Sequence, residues 1–179
     1  MPKFKVDLFN PKSIRELQDK LNQYKNTLVY KANLVVERLI QMGYGVALTH
    51  IQESPLGKYI VLSSSLTPEQ MGCKAILMAV GEIRDVPGRE PFSILMAVEF
   101  GAGKYYNPKA HDKAPEFGFG VGTYPDQRFA NSEDGWWFMD DDGKWKHTFG
   151  VKATMPMYNA LKTMKENIDA IVKEVFANG

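Results

Sequence analysis

The chain has 179 residues, 44% of them apolar and 24% charged, a balance ordinary for a folded globular protein that excludes wholesale disorder. Twenty-two Lys and Arg against 21 Asp and Glu leave a net charge of +1, which excludes a strongly basic nucleic-acid binder. The length fits one domain over residues 1–179, with little room for a second.

The opening segment MPKFKVDLFNPKS has no apolar centre, so it does not read as a secretory signal. Cys73 is the single cysteine, which rules out an intrachain disulfide and suits a reducing site of synthesis. The longest apolar runs, around Ala75 to Val80 and Ile94 to Val98, have strand length and are far too short to span a membrane.

The first strong element is a long helix over about 13–42. Ser13 and Glu16 stand at the spacing of a capping box, and Pro11 precedes them. Ile14, Leu17, Leu21, Tyr24, Leu28, Val35, Leu39 and Met42 recur at three- and four-residue intervals, and Gly43 offers a C-terminal stop. Such a helix is about 45 Å long, more than the width of a compact domain of this size. One end therefore projects or meets a neighbour. Its first half is polar on three sides. Its second half is apolar nearly all round, which fits packing under a sheet or a subunit contact.

After Gly45 the period changes. Val46–Gln52, Lys58–Ser64, Lys74–Arg84 and Phe92–Phe100 read as strands within 46–100. Ser54-Pro55-Leu56-Gly57 reads as a turn. Thr67-Pro68 opens a short helix that Gly72 cuts off. From 101 to 135 regular pattern gives way to a long loop, rich in Gly and Pro and punctuated by Tyr105, Tyr106, Phe117, Phe119, Tyr124 and Phe129. A loop of that length in a small domain is functional or is ordered by a partner. Trp136–Met139 and Lys144–Thr148 flank Asp140-Asp141-Asp142-Gly143, and the Asp-Gly pair predicts a hairpin over 136–148. A last helix covers about 155–177, with Pro156 in its first turn and Leu161, Met164, Ile168, Ile171 and Val175 on its apolar face. The expected fold is α+β: an antiparallel sheet of about 4–6 strands packed against a long N-terminal helix and a C-terminal helix.

The chemistry-bearing residues form no recognisable catalytic pattern. His50, His111 and His147 lack the spacing that puts two ligands on one helix face, and one cysteine adds little to a zinc site. Asp140-Asp141-Asp142-Gly143 resembles a calcium loop, but the twelfth position counted from Asp140 is Val151 where that loop needs Glu, so a hairpin turn is the better reading. Gly118-Phe119-Gly120-Val121-Gly122 is followed by Pro125 rather than by a helix, which argues against a dinucleotide fingerprint. Ser63-Ser64-Ser65 lacks a glycine elbow. Glu53, Glu82 and Glu99 supply carboxylates without a pattern that selects a pair for hydrolysis. No catalytic, cofactor-binding or metal-binding residue is nominated, and no cofactor is expected. The aromatics stand out: Tyr105, Tyr106, Phe117, Tyr124, Trp136, Trp137 and Trp145 are the nominated subunit-interface residues. Core packing at the hairpin base and a platform for stacking sugars or bases are the competing readings.

The stretch from Val98 to Ala160 carries a resemblance. Val98-Glu99-Phe100-Gly101, then GFGVGTYPDQ, WWFMDDDGKW and HTFGVKATMPMYNA, occur in an order that resembles the gene-product-ten-like tail-component family of Gram-positive siphophages and prophages, named from a lambdoid phage. The GFGVGTYPDQ segment is similar to the longer-loop branch of that family. The resemblance implies a non-enzymatic structural protein of the virion neck or tail, made in the host bacterial cytoplasm. It implies a minor tail or tail-completion subunit, or a head–tail joining one, that assembles with itself into a ring, with tail symmetry implying six copies. It further implies neighbouring neck or tail-tube proteins as partners, DNA only passing through the lumen, and no membrane partner. A phage-encoded cell-wall hydrolase and an aromatic-platform binding module are the alternatives.

Overall fold

In the computed structural model, which describes residues 7, 9–84, 91–105 and 134–177, the first element α1 runs over Pro11–Glu53. Its 43 residues make it about 65 Å long, well beyond the expected 13–42. The start is capped by Asn10, whose side-chain oxygen accepts from the Lys12 N–H, with Pro11 in the first turn where its missing donor costs nothing. Ser13 is not the cap. Its hydroxyl accepts from the Asp7 N–H instead. Gly43 does not stop the helix either, because it is the point of closest approach to a second helix: a Cβ there would lie 2.5 Å from the Met164 sulfur. Val46–Gln52, read as a strand, continues α1, since Ile40, Gly43, Ala47 and Ile51 extend one buried stripe. The helix ends at Ser54, which Pro55 biases to the extended conformation it adopts.

The expected turn at Ser54–Gly57 follows, with a short 3-10 turn at Gly57–Tyr59. Strands β1 (Ile60–Glu69) and β2 (Gly72–Gly81) then pair antiparallel from Ile60↔Gly81 to Glu69↔Gly72. Thr67-Pro68 lies inside β1 and starts no helix; Pro68 is tolerated there because β1 is an edge strand. Leu62, Ala75, Leu77 and Ala79 share the inner face, while Val61, Ile76, Met78 and Val80 share the outer face and are exposed. Two-residue strands β3 (Ile83–Arg84) and β4 (Phe92–Ser93) pair next.

Ile94–Phe100, expected to continue a strand from Phe92, is a helix, α2. Its apolar run Ile94–Val98 has no clear period, and the Ser93 hydroxyl accepting from the Met96 N–H nucleates a helical turn. Ile94, Ala97, Val98 and Phe100 are fully buried. Ile94 and Val98 join Ile51 and Ile60 in one core cluster.

Of the expected loop over 101–135, Gly101–Tyr105, Asp134 and Gly135 are described; the rest lies outside the described residues. Ala102 exchanges both backbone hydrogen bonds with Val151, and Lys104 N–H donates to the Phe149 carbonyl. The expected hairpin is present as β5 (Trp136–Met139) and β6 (Trp145–Thr148). The final helix, α3 (Pro156–Ala177), matches its expected bounds. It runs antiparallel to α1: Met164 meets Gly43, Ile171 and Val175 pack with Val35, Arg38 bonds Glu174 at 2.7 Å, and Phe176 lies beside Lys31. Because α3 ends opposite Lys31, no other described element packs along the part of α1 before that point, which is exposed on nearly every side.

The α+β class and both flanking helices are therefore as expected, but the strands do not form one sheet of 4–6. The described strands make three separate two-stranded antiparallel ladders. The physical reason is that two of the stretches expected to be strands, 46–52 and 94–100, are helix that buries its apolar residues, and α1 and α2 pack against β2.

Candidate functional site

The β5–β6 hairpin is built by its loop. Asp140 Oδ1 accepts from the Asp142 and Lys144 N–H groups, and the Asp140 carbonyl accepts from Gly143 N–H. Gly143 takes the positive φ of 75° that closes a turn with a one-residue bulge. These contacts make the Asp cluster a turn, as the sequence suggests. The register Trp137↔His147 and Met139↔Trp145 places all four side chains on one face. Trp137 and Trp145 are 60% and 64% exposed there, beside an exposed Met139. The Trp137 and His147 rings meet edge-on at 5.1 Å, and His147 meets Phe149 at 4.9 Å.

The hairpin is held at its tip. Asp141 Oδ2 accepts from Lys58 Nζ at 2.8 Å and from the Tyr59 hydroxyl, and Arg84 Nη2 approaches Oδ1 at 3.6 Å. Lys58 and Arg84 also lie over the Tyr59 ring, 4.6 and 4.4 Å from its centre. Hydrogen bonds from Lys58 and then Tyr59 hold the Asp141 carboxyl below its ordinary value, and Lys146 does the same for Asp140. Asp141 in turn raises the Lys58 ammonium above its usual range. A carboxylate lowered in this way stabilises the docked hairpin above its ordinary value, about pH 4, and loses that contribution as the pH falls. Tryptophan emission followed downward from about pH 6 should therefore show the hairpin loosening below about pH 4. Asp141→Asn should already be loosened at neutral pH and show a smaller transition. Identical profiles for the two proteins would refute the tip as the clamp.

Of the nominated aromatics, the structure brings Trp137 and Trp145 to one exposed face. Trp136 occupies the first position of β5, paired with Thr148. Tyr105 is exposed at the end of the short 3-10 turn Gly103–Tyr105, with Lys104 and Lys152 over its ring at 5.1 and 6.0 Å. Tyr106, Phe117 and Tyr124 lie outside the described residues.

Two features escaped the sequence reading. One is the Lys58–Tyr59–Arg84 clamp, which no local pattern announces because it joins residues far apart in the chain. The other is Glu99, only 3% exposed, whose carboxylate caps α3: Oε2 accepts from Met157 N–H at 3.0 Å and Oε1 from Tyr158 N–H at 2.8 Å. Met155, the residue before α3, has φ of 55° and no capping side chain, so a carboxylate from α2 supplies what the local sequence lacks. Burial raises the Glu99 carboxyl above its ordinary value, against the opposing pull of the two N–H groups and His50.

No three His, Cys, Asp or Glu side chains converge as a metal site among the described residues. His50 bonds Glu53 at 3.0 Å, His147 bonds the Asp134 carbonyl at 3.1 Å, and His111 is outside the described residues. A groove of about 330 Å³ lies between α1, β2 and α3, lined by Val36, Leu39, Leu77, Leu161 and Met164 among others. Among the described residues its lining is apolar side chains, with no charged group to hold a phosphate or a carboxylate. No helix among the described residues is long and apolar enough to cross a membrane. No family model, curated protein or solved structure matches the chain.

Proposed function

We propose that this chain is a structural subunit of a phage neck or tail, acting in tail completion or head–tail joining. Copies assemble head to tail into a ring in the virion after synthesis in the host bacterial cytoplasm. The observation that carries this reading is the amount of apolar surface one copy leaves open. The projecting part of α1 exposes Ile14, Leu21, Tyr24 and Leu28, the β1–β2 ladder exposes Val61, Ile76, Met78 and Val80, and the β5–β6 ladder exposes Trp137, Met139 and Trp145. Extended apolar surface of this kind marks contact with other macromolecules. The resemblance across Val98–Ala160 supplies the context, a ring of six between head and tail tube with DNA passing through its lumen. Near-zero net charge suits that lumen, because a strongly basic wall would bind the phosphates it must let slide. The role is carried by surfaces rather than by a catalytic group.

Light scattering behind a sizing column tests the reading. The expected result is a discrete species near six times the 20.2 kDa subunit mass, seen as closed rings in negative-stain micrographs. A monomer at every accessible concentration would count against it. The shared exposed face of Trp137 and Trp145 supports a second reading, a module that stacks sugars on its aromatics. Quenching of tryptophan emission by cell-wall oligosaccharides, lost in Trp145→Ala, is the result that would favour it.

A further inference from the structure

We propose that strand β1 of one copy adds antiparallel to the open edge of β2 in the next copy and covers the apolar groove beside it. The inference rests on the ring reading above and names the contact that builds the ring.

The hydrogen bonds show which backbone groups are open. Glu82 N–H donates to the Tyr59 carbonyl in line with the β1–β2 register. Tyr59, and with it Val61, Ser63, Ser65 and Thr67, therefore turn their backbone groups toward β2. The alternate residues of β1 turn theirs away. Ile60 bears this out, because its N–H donates to the Gly57 carbonyl instead of to β2. With Ile60 engaged and Pro68 lacking an N–H, the open stretch of β1 is Leu62, Ser64 and Leu66. By the same register Ala79, Leu77 and Ala75 turn outward on the far edge of β2, and Leu95 of α2 lies against Gly81 and closes that edge. None of these six open residues makes a backbone hydrogen bond to another element among the described residues. The two edges of one ladder thus offer matching open stretches, and such edges are templates for strand addition.

The side chains match as well. From Ser64 to Glu69 every residue of β1 is exposed, including Ser64 and Leu66 on the inner face, whereas the inner residues of β2 are half-buried over α1. β1 overhangs its own core. The groove is the reciprocal feature: Val36, Leu39, Ala75, Leu77, Leu161 and Met164 line it, and no residue of β1 does. It therefore lies on the side of β2 away from β1. A strand added there in the register β1 already uses sets Leu62, Ser64 and Leu66 opposite Ala79, Leu77 and Ala75, so that each pair exchanges both backbone hydrogen bonds. Leu62 and Leu66 of the incoming strand then face the groove. On the outer face its Glu69 stands diagonally across from Lys74, opposite in sign.

Pairing of β1 with a second β1 would leave the groove open. The β1-to-β2 contact joins two different surfaces, and such heterologous contacts generate rings when their rotation closes.

Light scattering with thermal melting by circular dichroism gives the first test. Ser64→Pro removes an N–H that points away from β2, as Pro68 already lacks one, so its melt should stay close to that of the wild type. It is expected to need at least tenfold more protein to assemble. Cross-linking gives the second test and decides the matter if Ser64→Pro does not fold. In a Cys73→Ala background, Ser65→Cys and Ile76→Cys are placed on separate copies, at positions that face each other in the proposed register. Mild oxidation of the mixture is expected to give covalent dimers, and oxidation of either variant alone is not. A wild type that assembles while folded Ser64→Pro assembles equally well overturns this contact and leaves the ring reading standing. An assembling mixture without covalent dimers does the same. Ser65→Cys copies that cross-link among themselves as fast as in the mixture show β1 pairing with β1 and overturn it too. A wild type that never assembles overturns the contact and the ring reading together.

Discussion

Replacing Glu99 by alanine should destabilise the fold by about 3 kcal/mol and lower the melting temperature by roughly 6–12 °C. The substitution strips the acceptors from two backbone N–H groups at the start of α3, at a site from which water is largely excluded. Leaving each buried donor unpaired costs about 1–3 kcal/mol, and relief from burying a carboxylate returns part of it. Glu99→Gln should cost less, because the amide keeps one acceptor, but its NH2 then faces a helix N–H. The pH dependence separates this role from simple packing. Since burial raises the Glu99 carboxyl, the folded state holds that proton more tightly than the unfolded chain does. Its contribution to stability therefore grows as the pH falls from above the raised value toward the ordinary 4.5, and declines as the pH rises through the same window. The stability difference between wild type and Glu99→Gln should widen on acidification across that window. This trend is opposite in sign to that of Asp140 and Asp141, whose contributions fade below about pH 4. A difference that stays flat with pH would show that Glu99 titrates as an ordinary surface glutamate.

Ile94→Ala should cost about 2–5 kcal/mol, and Ile94→Val about 0.5–1.5 kcal/mol. Ile94 has no exposed surface and sits among Ile51 from α1, Ile60 from the start of β1 and Val98 one turn further along α2. Its backbone N–H is also tied to the Glu82 carbonyl, so the residue cannot slide to fill the space. Urea unfolding of the two variants measures both costs, and an alanine variant within about 1 kcal/mol of wild type would contradict the assigned core. The two predictions are linked. Ile94 anchors the helix that carries Glu99, so loosening α2 also moves the cap of α3. Ile94→Ala and Glu99→Ala should therefore be less than additive in the double variant.

The sequence by itself determined the elements whose evidence is local. The last helix was legible because Pro156 and the Leu161–Met164–Ile171–Val175 face are sufficient signals on one segment. The β5–β6 hairpin was legible because an Asp-Gly turn lies between two short apolar runs. The interface candidates Trp137 and Trp145 were legible as residue types, and their shared face follows from strand alternation once the register is known. Tertiary structure alone decided the rest. Gly43 reads as a helix stop from its backbone freedom, yet it lies inside α1, where the missing Cβ lets Met164 of α3 approach. Residues 46–52 and 94–100 are short, partly apolar stretches that fit strand or helix equally well. Packing chose helix, since Ile51, Ile94 and Val98 close one core in that form. That choice removed two expected strands and left separate two-stranded ladders in place of one sheet. The cap of α3 comes from Glu99 and the clamp on the hairpin from Lys58, Tyr59 and Arg84, partners many residues distant. Propensity and turn chemistry act over a few neighbouring residues, so a sequence reveals them directly. Burial and long-range hydrogen bonds depend on which surfaces meet, and only the folded chain brings those surfaces together.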